Sequence, residues 1–304
     1  MKRREFLVTA GAGAATLAAV PSTSATAKQS GAFKLKYAPH FGMFRHHAGK
    51  DLIDQLKFAA DEGFTAWEDN TMTRRSVADQ ERVSSEMDRL GMTMGVFVAN
   101  FGTAFGKKSF VGGDKKMLES FLGDLRASVE VAKRVRAKWM TVVLGDFNPR
   151  LEWDYQTAHA VEMLKRGAEV FEPHGLVMVL EPLNPWTNHP GMFLSKIPQA
   201  YQICKAVNSP AVKILDDLYH QQVAEGNLIP NIDLAWEEIA YFQVGDNPGR
   251  NEPTTGEINY KNVFRHIHAK GFTGVVGMEH GNSRGGKEGE RAVIDAYRYC
   301  DDFE

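Results

Sequence analysis

Leu176-Val177-Met178-Val179-Leu180-Glu181 is an apolar run that ends on a carboxylate, and three later stretches repeat the arrangement. They are Val212-Lys213-Ile214-Leu215-Asp216-Asp217, Ile239-Ala240-Tyr241-Phe242-Gln243 and Gly274-Val275-Val276-Gly277-Met278-Glu279. Successive ends lie roughly 25 to 35 residues apart, about the length of one strand–helix unit. A short apolar run of this kind predicts a parallel strand buried on both faces, with its polar end at the carboxyl edge. Side chains at the carboxyl edges of neighbouring parallel strands converge on one point. Three carboxylates and one amide oxygen meeting there would suit a hard divalent cation, Mg²⁺ or Mn²⁺. Glu181, Asp217, Gln243 and Glu279 are therefore the expected metal ligands.

Upstream of these segments the same alternation holds. Strand-like runs at 33–38, 65–68, 93–99 and 139–144 alternate with amphipathic runs at 52–61, 79–90, 117–136 and 155–171. Helices at 197–207, 233–239, 261–270 and 288–299 fill the later gaps. Eight β-then-α units predict an α/β fold, a (β/α)8 TIM barrel, as a single domain over 28–304. No glycine-rich turn follows the first strand, so a dinucleotide-binding fold has no support. The long polar loops at 101–114, 182–195 and 246–257 would lie on the carboxyl-end face and shape an active site there.

The chain has 304 residues, 43% hydrophobic and 24% charged, with a formal net charge of −2. This is globular composition, and its interspersed charge provides no basic face for nucleic acid. The N-terminus reads differently. Lys2-Arg3-Arg4-Glu5-Phe6-Leu7, a short Gly/Ala-rich apolar stretch and Ala25-Thr26-Ala27 form a twin-arginine-type signal over 1–27. That predicts handling by the twin-arginine export machinery and a periplasmic or otherwise exported protein. No segment is long and apolar enough for a membrane span. Cys204 and Cys300 are too few for a metal motif and read as packing residues, with one bridge between them left open. Nothing in the sequence decides between a monomer and a homo-oligomer.

Several side chains carry chemistry by position. Pro182 cannot extend a strand ladder and fixes the chain's exit after Glu181. Of the adjacent acids Asp216 and Asp217 only one can face inward, and Asp217 is preferred because His220 follows at i+3. His220, as a neutral imidazole, can position or polarise a substrate oxygen. Arg250 suits bidentate capture of a substrate carboxylate or phosphate. His40, Glu68 and Asn100 follow the first three strands, and His40 is expected to line the substrate pocket. Each residue has a bland alternative, such as a helix cap, a packed histidine or a solvated arginine; four polar ends on successive units argue against it for those ends, while for His40 a structural histidine is an equal reading.

The stretches Asp217-x-x-His220-x-Gln222, Gly226-Asn227-Leu228, Phe242-Gln243-Val244, Arg250-x-Glu252-Pro253, Gly256-Glu257-Ile258-Asn259-Tyr260 and Gly277-x-Glu279 resemble the hydroxypyruvate isomerase family. That family lies within the xylose-isomerase-like barrel superfamily of sugar isomerases and epimerases. The resemblance covers 181–279 at motif level and the earlier part at fold level. It implies a divalent metal on Glu181, Asp217, Gln243 and Glu279, with His220 and Arg250 beside a small sugar or hydroxy-keto acid. The implied reaction interconverts hydroxypyruvate and tartronate semialdehyde by proton transfer at carbons beside a carbonyl, with Glu181 and Glu279 as the catalytic pair, one removing the proton and the other returning it. The loop Asn188-His189-Pro190-Gly191 and the pair Glu279-His280 depart from the family pattern. An exported epimerase, lyase or hydrolase acting on an oxidised sugar, or a non-catalytic sugar-binding barrel, are the alternatives.

Overall fold

A computed structural model describes residues 32–104 and 110–304. Its strands are β1 (Lys36–Ala38), β2 (Ala66–Trp67), β3 (Thr93–Met94), β4 (Trp139–Val142), β5 (Val177–Leu180), β6 (Val212–Asp217), β7 (Ile239–Gln243) and β8 (Val275–Gly277). Six pair in parallel in the order β1-β8-β7-β6-β5-β4, and β2 pairs in parallel with β3. Single bridges from His40 to Glu68 and from Val98 to Thr141 join the two pieces and close the ring. The backbone bonds there include Glu68 N–H to Pro39 O at 3.0 Å, Thr141 N–H to Phe97 O at 2.9 Å and Ala99 N–H to Thr141 O at 3.0 Å. The expected (β/α)8 barrel is the fold of this chain.

The helices are α1 (Arg45–Ala48), α2 (Leu52–Asp61), α3 (Val77–Leu90), α4 (Phe101–Ala104), α5 (Lys115–Val135), α6 (Trp153–Phe171), α7 (Ile197–Val207), α8 (Leu218–Ala224), α9 (Leu228–Ala235), α10 (Tyr260–Ala269) and α11 (Gly286–Asp301). Side-chain caps start several of them. The carboxylates of Asp51 and Asp114 and the hydroxyl of Ser76 accept first-turn N–H groups of α2, α5 and α3. Gly91, in the left-handed region at φ 68°, ends α3 at little steric cost.

Strand alternation splits the apolar side chains into two layers. Val177, Val179, Leu215, Tyr241 and Val275 share one cluster inside the ring with Ala38, Ala66 and Val96. Met178, Leu180, Ile214, Phe242 and Val276 belong to the larger cluster between sheet and helices. The same parity, carried to the carboxyl edge, turns Glu181, Asp217, Gln243 and Glu279 inward and Asp216 toward the helices.

Some local readings change. The helix expected at 233–239 ends at Ala235; a 3-10 turn over Trp236–Glu238 follows, and Ile239 already opens β7. Two helices, α8 and α9, occupy the segment after β6. β8 stops at Gly277, so Glu279 stands two residues past the strand. Asp216 is buried on its own side of the sheet, only 1% exposed. Cys204 and Cys300 are free and buried, which removes the bridge alternative. Among the described residues no helix is long and apolar enough to cross a membrane. The signal expected over 1–27 lies outside the described residues.

Candidate metal centre

Register builds the centre. Asp217 pairs with Gln243 across β6 and β7, and Gln243 with Gly277 across β7 and β8, so the three lie in one row at the barrel's carboxyl edge. Glu181 follows β5 directly. Its carboxylate, that of Asp217 and the imidazole of His220 offer ligand atoms within 4.8 Å of one another, all three residues buried. His220 Nε2 lies 3.8 Å from Glu181 Oε1 and 3.6 Å from Asp217 Oδ2. Arg250 Nη2 lies between Asp217 Oδ2 at 3.1 Å and Glu279 Oε2 at 3.0 Å, tying the third acid to the same group.

Local structure explains each placement. Asp217 caps α8: its Oδ1 accepts the N–H groups of Tyr219 at 2.8 Å and His220 at 3.2 Å, leaving Oδ2 for the pocket. Arg250 sits in the left-handed region at φ 52°, and its N–H donates to Asp246 O at 2.9 Å. Asp246 anchors that loop, its carboxylate accepting N–H groups of Asn247, Gly256 and Ile258. Arg250 Nε also donates to the carbonyl of Glu279 at 3.1 Å, fixing the chain beyond β8.

The tautomer of His220 follows from its neighbours. Asn184 donates to His220 Nδ1 from its side-chain Nδ2 at 2.6 Å and from its backbone N–H at 3.3 Å. Nδ1 is thus the acceptor, and in a neutral ring the hydrogen sits on Nε2. Burial holds the ring neutral, pulling its pKa down to about 3. Nε2 is buried and has no hydrogen-bond partner among the described residues. An N–H pointed at the acids is a donor for a substrate oxygen; it is a poor metal ligand while Asn184 holds Nδ1.

The electrostatics fit a cation. Burial, reinforced by Glu279 and Asp217, raises Glu181 well above the usual carboxylate range. Burial likewise pushes Glu279 up to about 7, against the pull of Arg250. The acids repel one another, and one guanidinium does not balance them. Gln243 Oε1, buried and without a partner among the described residues, adds a neutral oxygen to the same row. A hard divalent ion matches this all-oxygen donor set and its excess negative charge.

His40 stands at the edge of this group. Its ring nitrogens lie 3.1 Å from Phe41 O and 3.2 Å from His280 O, so the ring is held mainly by backbone. Asn100 is structural: its amide donates to Val143 O at 2.9 Å and accepts Val143 N–H at 3.2 Å, lacing the β3 side of the ring to β4. Sequence reading missed Asn70, whose Nδ2 donates to Glu279 Oε1 at 2.9 Å. It also passed over His189 itself, whose ring centroid lies 5.3 Å from that of His220. The sequence marked His189 only as part of a loop that departs from the family pattern and gave it no role.

The family described as xylose isomerase-like TIM barrel matches residues 56–302. The hydroxypyruvate isomerase of Escherichia coli K12 is 30% identical over 162 residues, 53% of this chain and 62% of that enzyme, so this match spans under two thirds of it. The 2-oxo-tetronate isomerase of Cupriavidus necator is 26% identical over 239 residues, 78% of this chain and 89% of that protein. Among solved structures, an AP endonuclease, family 2, from Brucella melitensis superposes with a TM-score of 0.73 at 22% identity, covering 86% of this chain and 99% of its own. That likeness shows the fold. The curated relatives carry the isomerase class expected from the sequence. With its match running from the second helix to the last, this chain belongs to the xylose isomerase-like TIM barrel family.

Proposed function

We propose that the protein is a divalent-metal-dependent isomerase that shifts a proton between adjacent carbons of a small hydroxy-keto acid, hydroxypyruvate first among them. The observation that carries this reading is the convergence of Glu181, Asp217 and Glu279 on one pocket that also holds a histidine N–H donor and a guanidinium. Glu181, Asp217, Gln243 and Glu279 would hold Mg²⁺ or Mn²⁺. When bound, the ion supplies charge stabilisation for a substrate oxygen that turns negative as the neighbouring C–H bond breaks.

The chain's own groups do the rest. Arg250 pairs with the substrate carboxylate, and His220 Nε2–H donates to a substrate oxygen. One of Glu181 and Glu279 takes the proton from carbon three, and the other delivers a proton to carbon two. The hydroxyl proton passes from the oxygen on carbon three to that on carbon two, giving tartronate semialdehyde with atoms conserved.

The test follows purified, Mn²⁺-loaded protein with hydroxypyruvate in D₂O by NMR. Deuterium at carbon three together with tartronate semialdehyde supports the proposal. Exchange without interconversion assigns the site to another substrate, and no exchange with any ketose or keto-acid tested refutes proton transfer. We also propose that residues 1–27 direct export to the periplasm by the twin-arginine route. Recovery of the uncleaved protein in the cytoplasm alone would refute that.

A further inference from the structure

Beneath the proposed metal ligands lies a second acid, Glu68, at the end of β2. It is 1% exposed and reaches across the barrel interior to β7. Gly277 and Gly95 make the room: a Cβ on Gly277 would collide with Glu68 Oε2, and one on Gly95 would collide with the Tyr241 hydroxyl. Tyr241 O–H donates to Glu68 Oε2 at 3.0 Å, and Gln243 Nε2 lies 3.4 Å from each Glu68 oxygen.

The direction of this chain of hydrogen bonds is set by the backbone. The N–H of Val96 can only donate, and it points to the Tyr241 oxygen at 3.4 Å. Tyr241 therefore accepts there and spends its own hydrogen on Glu68. Both Glu68 oxygens face the Gln243 amide nitrogen, whose N–H donates to them. An amide that gives its nitrogen to Glu68 must present its oxygen on the opposite side, and Gln243 Oε1 is the buried atom left without a partner.

From this we infer that Glu68, polarised by Tyr241, is a positioning residue that locks the Gln243 amide with its oxygen toward the metal site. The inference rests on the metal reading above. It predicts an inversion. In Glu68→Gln the new amide must still offer its oxygen to Tyr241, so its NH₂ faces Gln243. Gln243 then turns its oxygen to that NH₂ and its own nitrogen to the metal. Removing the Tyr241 hydroxyl in the same protein frees the introduced amide to rotate, and the original Gln243 orientation returns.

The experiment is Mn²⁺ titration calorimetry of the metal-free full-length protein and its variants, with thermal midpoints recorded for each. Glu68→Gln is expected to weaken Mn²⁺ binding ten- to a hundred-fold, the usual cost of losing an outer-shell partner. Tyr241→Phe added to Glu68→Gln is expected to restore affinity to within about threefold of Tyr241→Phe alone. Wild-type affinity in a folded Glu68→Gln variant, or no rescue in the double variant, overturns the inference. Should Glu68→Gln fail to fold, Glu68→Asp, one methylene too short to hold Gln243, is expected to lose at least threefold in affinity; unchanged affinity overturns the inference. Failure of the wild-type protein itself to bind Mn²⁺ is a different result, which removes the metal reading.

Discussion

Replacing Glu181 or Glu279 by glutamine keeps the shape of the site and removes the atom that takes or gives the proton. Each change is expected to lower kcat by about 10² to 10⁴ fold, the ordinary scale of one general acid or base. Steady-state kinetics on variants that still bind Mn²⁺ check this, and activity within tenfold of wild type in either one contradicts its role. Asp216, one residue from the site but on the other face of β6, allows a prediction about stability. Burial, then Asp217 and Glu225, raises its pKa well above the usual range, so the folded chain keeps it protonated while the unfolded chain does not. Folding then takes up a proton, and stability falls as pH rises from about 4 toward the folded pKa, by at most about 1.4 kcal/mol per pH unit. Asp216→Asn lacks that proton uptake. Its stability relative to wild type in urea unfolding should rise with pH above about 4 for as long as the folded Asp216 stays protonated; a constant difference would contradict the argument. His220 at i+3 made Asp217 legible in the sequence, and the inward parity it shares with Leu215 agrees with that choice. Asn70, His189 and the Glu68–Gln243 contact were not legible, because each depends on partners many residues away.

At the scale of elements, α1 is held by a residue of α11. Glu290, 1% exposed, accepts the backbone N–H of His46 at 2.6 Å and of His47 at 2.9 Å, and lies 2.6 Å from His47 Nδ1. Glu290→Ala would leave those part-buried donors without their acceptor. A loss of about 2–4 kcal/mol is expected, with a smaller one for Glu290→Gln, which keeps an acceptor oxygen. Chemical denaturation measures both, and equal losses would show that packing, not hydrogen bonding, does the holding. Helix positions were well marked by apolar spacing: the readings at 52–61 and 197–207 agree with α2 and α7 residue for residue. The reading at 233–239 failed because Trp236-Glu237-Glu238 prolongs the helical pattern through a 3-10 turn, and Ile239 fits either element. A short apolar run carries no periodicity that separates the two.

For the whole molecule, a metal that binds only the folded state adds stability by mass action. Mn²⁺ at a hundredfold excess over its Kd would contribute about 2.7 kcal/mol. For a chain of this size that is a rise in Tm of roughly 4–5 °C, reversed by chelator. A Tm indifferent to Mn²⁺ would count against the centre. The barrel as a class was legible because its eight units repeat one pattern. Its closure was not, since β2 and β3 are two residues each and join the ring through single bridges.

That uneven seam gives the ring a preferred place to breathe. Local opening follows the fewest buried hydrogen bonds, so backbone amides at 66–67 and 93–95 should exchange with solvent deuterium sooner than those of β5 and β6. Uniform protection around the ring would show the seam to be no weaker than the rest. Glu68 rides on that side, so each opening would withdraw the carboxylate that steadies Gln243. The residence time of a bound ion would then be timed by the clasp of the barrel, on the far side from most of its ligands' own strands.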